Sequence, residues 1–249
     1  MRYKARDYWE TRLSVDFSLG TTGHIGFSKY YNRFMYQLKA RALEKAVRRY
    51  KVKIKGNTVL DVGSGTGFFV DYYIRKHALA VTGIDIAEVS VSLLKKKFPA
   101  QRFYRFDVSL DTLAFEGKFD IIHVFDVLYH IVDQQGFRNA IENISRFAGP
   151  GAWIFITDAF NSQTMTEPHV CFRKLPEYQS AFRRQEVDII GIIPIFNLMG
   201  RSPCKGDKSF LSRLCARSID SMAWFIYWMD RMYCPQSSQG IQLLICRKK

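Results

Sequence analysis

The residues best placed to do chemistry stand in one stretch, Val59-Leu60-Asp61-Val62-Gly63-Ser64-Gly65-Thr66-Gly67-Phe68. Thr58 to Asp61 is short, β-branched and apolar, the pattern of a central parallel strand. Three glycines then alternate with small residues. Without Cβ atoms, such a turn can bring bare N–H groups against a ligand, and Phe68 to Arg75 follows as a short helix. Nicotinamide and flavin folds use a Gly-rich strand-to-helix turn too. Here, however, the spacing is G-x-G-x-G with an acidic residue before it, not G-x-G-x-x-G. A second acid, Asp85, ends the next apolar stretch, where a carboxylate can accept both hydroxyls of an adenosine ribose.

The elements that must hold these residues alternate. Strands are read at 58–61, 80–84, 102–106, 119–125 and 152–158, and helices at 67–76, 88–97 and 134–147. This is the order of an α/β chain with a doubly wound sheet, right-handed crossovers, and a ligand crevice across the carboxyl ends of the strands. Gly149-Pro150-Gly151 is read as the turn before the fifth strand. Leu175 to Gln185 reads as a helix, Val187 to Phe196 as a sixth strand and Gly240 to Arg247 as a seventh. Ahead of the sheet, Phe34 to Tyr50 reads as a long amphipathic helix with Phe34, Leu38, Ala42, Val47 and Tyr50 on one stripe. Residues 1–33 are aromatic and polar together, broken by Gly20, Gly23 and Gly26. They are too irregular for a core strand and too aromatic for a disordered tail, as expected of a segment that folds over something.

Asp61-Val-Gly-Ser-Gly-Thr-Gly67 resembles motif I of the class I S-adenosylmethionine-dependent methyltransferases, and the resemblance runs from about Asn57 to Ala159. The N-terminal Tyr8-Trp9-Glu-x-Arg-Leu, followed by Tyr30-Tyr31-Asn32, resembles extensions of bacterial methyltransferases of surface-glycan and secondary-metabolite pathways. The resemblance implies a Rossmann-like, seven-stranded, mostly parallel sheet, its last strand antiparallel and inserted between the fifth and sixth. Residues 1–56 would form an N-terminal helical cap. Residues 57–249 would form the cofactor domain, with cap insertions near 160–185 and 199–235. S-adenosylmethionine would be the cofactor and S-adenosylhomocysteine its product. Contacts are implied from Asp61, Gly63, Ser64, Gly65 and Gly67 in the turn, from Asp85 and Ile86 after the second strand, and from Phe125 after the fourth. Asp107 would accept from the adenine amino group, with Val108 beside it.

Methyl transfer from a sulfonium is an in-line displacement in which the protein supplies alignment, dryness and, for a hydroxyl acceptor, a base. The family places the loop after the fourth strand beside the reactive methyl, and Tyr129-His130 matches the place where many small-molecule members carry a catalytic or substrate-positioning histidine. His130 is the first candidate base. Asp126 is the second; it could instead orient His130 or accept from the cofactor. His169 and His24 are cap-borne alternatives. Tyr8, Tyr30 and Tyr129 could bond the acceptor or lie against the sulfonium. Trp9, Tyr31 and Asn32 complete the substrate-binding candidates, and His123, mid-strand, reads as a core histidine.

The net charge of +14 admits nucleic acid, an anionic membrane or a phosphorylated substrate, but it is spread over runs at predicted helix ends and the terminus. The [DN]-P-P-[YF] tetrapeptide of amino-nitrogen nucleic-acid methylases is absent; Phe125-Asp-Val-Leu-Tyr129 stands in its place. The leading expectation is therefore a small-molecule methyltransferase acting on a hydroxyl of a sugar or secondary metabolite, phosphorylated or nucleotide-linked acceptors suiting the charge. A C-methyltransferase, an RNA or DNA methyltransferase, a non-catalytic cofactor-binding protein and a nicotinamide oxidoreductase are the competing classes. Five cysteines without C-x-x-C spacing argue for a reducing compartment and against a zinc site. No bilayer-spanning apolar run and no signal-like N-terminus are read, so the expected location is the cytoplasm.

Overall fold

The computed structural model describes residues 3–24, 26–110, 117–160, 164–196, 198–199, 219–233 and 240–249. Seven strands form one sheet: β1 (Thr58–Val62), β2 (Ala80–Asp85), β3 (Arg102–Arg105), β4 (Phe119–Val124), β5 (Ala148–Asp158), β8 (Val187–Pro194) and β9 (Gln242–Lys248), in the order β3-β2-β1-β4-β5-β9-β8. β1 to β5 pair in parallel, and β9 runs antiparallel to both its neighbours, β5 and β8. This is the doubly wound, mostly parallel sheet expected from the alternation, with the last strand inserted as the resemblance implied. The order reverses between β1 and β4, so a crevice opens beyond their carboxyl ends.

Both faces of the sheet are covered, which is why its strands read as continuous apolar runs rather than alternating ones. Successive side chains point to opposite faces: Val59 joins the cluster under α3 (Lys29–Arg49), whereas Leu60 joins the cluster under α6 (Gln134–Phe147). α6 starts where Asp133 caps it, its carboxylate accepting from Gly136 N at 2.7 Å. α4 (Phe68–Arg75) and α5 (Glu88–Lys97) make the first two crossovers, as the pattern predicts.

Two parts differ from the sequence reading. Gly149-Pro150-Gly151 is not a turn ahead of β5 but lies inside it; Ala148 already pairs with Phe119, and the register shifts between Phe119 and Ile121 absorb the irregularity. The buried face of α3 runs through Tyr31, Met35, Leu38, Ala42, Leu43 and Ala46, with Phe34, Val47 and Tyr50 only at its edges. The N-terminal segment is helical: α1 (Ala5–Val15) and α2 (Leu19–Thr22) precede α3. After β5 a small hairpin, β6 (Met165–Glu167) and β7 (Val170–Phe172), leads into α7 (Leu175–Arg183). In the expected 199–235 insertion, α8 (Ala223–Tyr233) packs beside α3 through Phe34 and Tyr227; residues 200–218 and 234–239 lie outside the described residues, and Cys204, Cys215 and Cys234 with them. No described helix is long and apolar enough to cross a membrane.

Candidate active site

A cavity of about 280 Å³ opens at the carboxyl ends of β1, β2, β3 and β4. Its floor is the glycine turn. Gly63 has φ +73°, and a Cβ there would come within 2.3 Å of Val127; Gly67 has φ +78° and would collide with Leu94 and Phe98. Only glycine tolerates both the angle and the approach. The turn is tied down by Gly65 N, which donates to Asp85 Oδ2 at 2.8 Å, and by Ser90 Oγ, which donates to Gly65 O at 2.7 Å. The other oxygen of Asp85 accepts from Ala87 N at 2.9 Å. Burial pushes this carboxyl up from its ordinary value, against the pull of those N–H groups.

Of the expected cofactor residues, Asp61, Gly63, Ser64, Gly65, Asp85, Ile86, Asp107, Val108 and Phe125 all line this cavity. Gly67 does not; it caps α4 behind the floor. Asp61 is shared with His123, whose Nδ1 stands 2.7 Å from Asp61 Oδ1. The histidine is buried, as read for a core residue, with its ring against Phe125 and Phe69. Asp107 Oδ1 accepts from the amide and hydroxyl of Ser109, which fixes the carboxylate at the end of β3.

One wall of the cavity is the loop after β4, a single 3-10 turn at Leu128–His130. His130 lines the cavity and places Nδ1 3.1 Å from the backbone oxygen of His169, in the β6–β7 turn. A carbonyl can only accept, so Nδ1 carries the proton and Nε2 keeps its lone pair. Desolvation by the surrounding rings lowers the imidazole to about 4, outweighing the His169 carbonyl and Asp126. Trp9 stands edge-on to this ring at 5.0 Å.

Asp126 lines the same wall but is not poised as a base. Its backbone is left-handed, φ +59°, and its carboxylate forms a buried ion pair with Lys39 of α3. Thr157 Oγ1 donates to Asp126 Oδ1 at 3.1 Å. Burial alone would raise this carboxyl, but the Lys39 charge, with hydrogen bonds from Lys39, Thr157 and Tyr129, holds it below its ordinary value. Its oxygens are thus committed to Lys39 and Thr157 rather than turned to a ligand. Tyr129 turns toward Asp126 and packs on Phe172 at 5.0 Å, off the cavity lining.

The ceiling is α1 with the residues before it. Tyr3, Ala5, Trp9 and Leu13 face the cavity. α5 has no capping side chain of its own at Ala87. Glu10 of α1 supplies the cap, accepting from Glu88 N at 2.6 Å and Val89 N at 3.1 Å. The helix end thereby holds the ceiling in place.

The other substrate candidates sit elsewhere. Tyr8 accepts from Arg12 Nη1 at 2.8 Å and stacks on His169 at 5.9 Å, both just outside the lining. Tyr31 is fully buried, its ring stacked on Phe27 at 4.0 Å and its hydroxyl donating to Met199 O. Asn32 is consumed by the turn before α3: its oxygen accepts from His24 N, and its amide donates to the carbonyls of His24, Phe27 and Ser28. His24 leans on Phe27, and Tyr30 is 51% exposed against Phe34. These four hold the α2–α3 junction together rather than a ligand, because the first turn of α3 points into the core and the outer surface, not toward the strand ends.

Lys39, Arg173 and Glu10 hold elements around the cavity, and the sequence reading missed them. Lys39 did leave a signal: it falls between Met35 and Leu43 at i±4, on a buried helical stripe where a cation needs a partner. Lys39→Met should leave Asp126 a buried, uncompensated carboxylate and cost about 3–5 kcal/mol, read by urea unfolding at pH 7. Because Asp126 is depressed in the folded state, the deficit should shrink as pH falls below the ordinary carboxylate value of 3.8 and the group protonates in both proteins. An equal deficit at pH 3 and pH 7 would mean that the pair is not its source.

Residues 29–192 match the model of a family described as methyltransferase domain. The O-methyltransferase rstn1 of Aspergillus nomiae is 27% identical over 125 residues, covering 48% of this chain and 54% of that protein. The O-methyltransferase cnsE of Penicillium expansum is 28% identical over 175 residues, 67% of this chain and 61% of the relative. The chain thus spans between half and two thirds of the length of these curated relatives. Among solved structures, the magnesium protoporphyrin IX methyltransferase of Synechocystis, with bound S-adenosylmethionine, superposes at TM-score 0.60 and 14% identity over 98% of this chain and 95% of its own. The 1,6-didemethyltoxoflavin-N1-methyltransferase of Burkholderia thailandensis does so at 0.57 and 16% over 100% and 92%. At these identities the superpositions speak for the fold.

Proposed function

Because the chain belongs to the methyltransferase-domain family, we propose that it transfers the methyl group of S-adenosylmethionine to a hydroxyl of a small secondary-metabolite or sugar acceptor. The cavity suits that cofactor in its own residues. The floor at Gly63 and Gly65 leaves backbone bare where a Cβ would intrude, Asp85 ends β2 where ribose hydroxyls need an acceptor, and Asp107 ends β3 where an adenine amino group needs one. When bound, the cofactor supplies an electrophilic methyl on a sulfonium; the chain supplies everything else.

The observation that carries the reading is His130 on the cavity lining, with Nδ1–H anchored on the His169 carbonyl so that Nε2 keeps its lone pair. Nε2 takes the hydroxyl proton as the oxygen becomes a nucleophile. Trp9, Tyr36 and Phe68 give aromatic faces on the same cavity, to align the acceptor and shed water. The named O-methyltransferase relatives favour oxygen over carbon or nitrogen as the acceptor atom. Cytoplasmic location and a phosphorylated acceptor belong to the same proposal, the latter from the +14 charge.

The test is calorimetric titration with S-adenosylmethionine, S-adenosylhomocysteine and NADH, followed by methyl transfer to panels of phenols and of sugar phosphates. Micromolar binding of the first two, none of NADH and transfer to one panel supports the proposal. NADH binding, or transfer only to carbon or nitrogen acceptors added as controls, overturns it.

A further inference from the structure

We propose that Arg173 is the positioning residue that sets His130 for its proton transfer, by gripping the backbone on both sides of the 3-10 turn; the proposal rests on the reading of His130 as base. The guanidinium is 1% exposed and lies over the Phe137 ring at 4.1 Å. Among the described residues it makes no ion pair. Its donors go instead to backbone. Nη2 donates to Ile131 O at 2.8 Å and Asp133 O at 3.3 Å, and Nη1 donates to Leu128 O at 3.3 Å and Cys171 O at 3.5 Å. Nε reaches Gln134 Oε1 at 3.4 Å.

Leu128 and Ile131 bracket His130. Arg173 therefore holds the peptide units one step outside those that flank the histidine's Cα, and so fixes both ends of the short turn that carries it. Arg173 follows β7 directly, and His169 O, which receives Nδ1–H, lies in the turn before β7. One hairpin thus holds His130 twice, through its backbone and through its ring. Its charge acts on the buried Asp158 carboxyl without an ion pair to it; burying a cation with no direct partner is expensive, and an apolar side chain would fill the space at less cost. What an apolar residue or a lysine cannot reproduce is a rigid planar fork matched to several carbonyls at once.

The experiment uses the full chain with saturating S-adenosylhomocysteine and histidine-labelled NMR, which reads the tautomer and titration of His130 without an acceptor. The groups facing its imidazole are Asp126 after β4, Tyr129 beside it at 4.6 Å between ring centres, His169 in the β6–β7 turn, and Arg12 and Trp9 on α1. Arg173→Lys and Arg173→Gln alter none of them. In the parent protein His130 should be an Nδ1–H tautomer that stays neutral down to about pH 4. In both variants the tautomers should mix and the midpoint rise to about pH 5 or above as the ring loosens toward water, with S-adenosylhomocysteine affinity within about threefold of the parent.

Unchanged tautomer and midpoint in the folded variants would overturn the proposal. Should neither variant fold, the parent decides: guanidinium hydrogens bonded as described exchange about 100-fold more slowly than those of exposed arginines, and fast exchange overturns it. Full activity in a His130→Ala variant, with the NMR outcome as expected, would remove the base reading and leave Arg173 positioning a ring of another role.

Discussion

Replacing His130 by alanine is expected to lower methyl transfer by about 10²–10⁴-fold, the usual worth of a positioned proton acceptor, with S-adenosylhomocysteine affinity within about twofold of the parent. The side chain touches the cavity but none of the groups that hold the floor. The pH profile carries a second, sharper expectation. The base must be neutral to act, and burial lowers His130 to about 4. Turnover should therefore stay level from neutral pH down to about pH 5 and fall tenfold per unit only below about 4. An ordinary histidine would place that limb near 6.5. A limb near 6.5 that vanishes in His130→Ala would keep the base but deny its burial. A profile identical in both proteins, with undiminished activity, would remove His130 from the chemistry.

Asp85 should show the largest effect on binding. Its two oxygens already accept from Gly65 N and Ala87 N, which fixes the carboxylate at the cavity edge and leaves its remaining lone pairs for ribose hydroxyls. Asp85→Ala removes the proposed ribose acceptor and strands two backbone N–H groups, so the glycine turn loses its tether as well. Asp85→Asn can keep one backbone donor satisfied but faces the other with its own NH₂. We expect cofactor affinity to fall by about 100-fold in Asp85→Asn, about 2.7 kcal/mol, and by more in Asp85→Ala, measured by calorimetry with S-adenosylhomocysteine. Retained affinity in Asp85→Asn would show that a neutral hydrogen-bonding group suffices there, and that the carboxylate's role is to shape the turn.

These two variants separate the halves of the site, and the halves were unequally legible in the chain. The floor follows from local pattern. A strand–glycine–helix run needs only neighbouring residues to specify it, and the acids at the ends of β2 and β3 come from strands whose apolar runs mark their own ends. Asp61, Gly63, Gly65, Asp85 and Asp107 therefore reach one cavity, as their positions implied. Tyr129-His130 follows β4 for the same reason, although only His130 turns inward.

The ceiling and the clamps were decided by tertiary structure. Aromatic residues without periodicity do not announce which face they turn, so Trp9 reached the cavity while Tyr30 stayed on the surface and Tyr31 and Asn32 were drawn into the α3 junction. Asp126 is the clearest case. Its place after β4 marked it as a candidate base, but whether a carboxylate is a base or a fixed counter-ion depends on what charge is packed against it. The answer came from Lys39, 87 positions away in the chain. Glu10 caps a helix 78 positions distant, and Arg173 grips carbonyls about 40 positions back. Sequence by itself determined the sheet, the cradle and the address of the histidine, because each is set by residues a few positions apart. The pairing of buried charges and the closing of the cavity were decided only on folding, because their free energy depends on desolvated contacts between distant segments that no local spacing encodes.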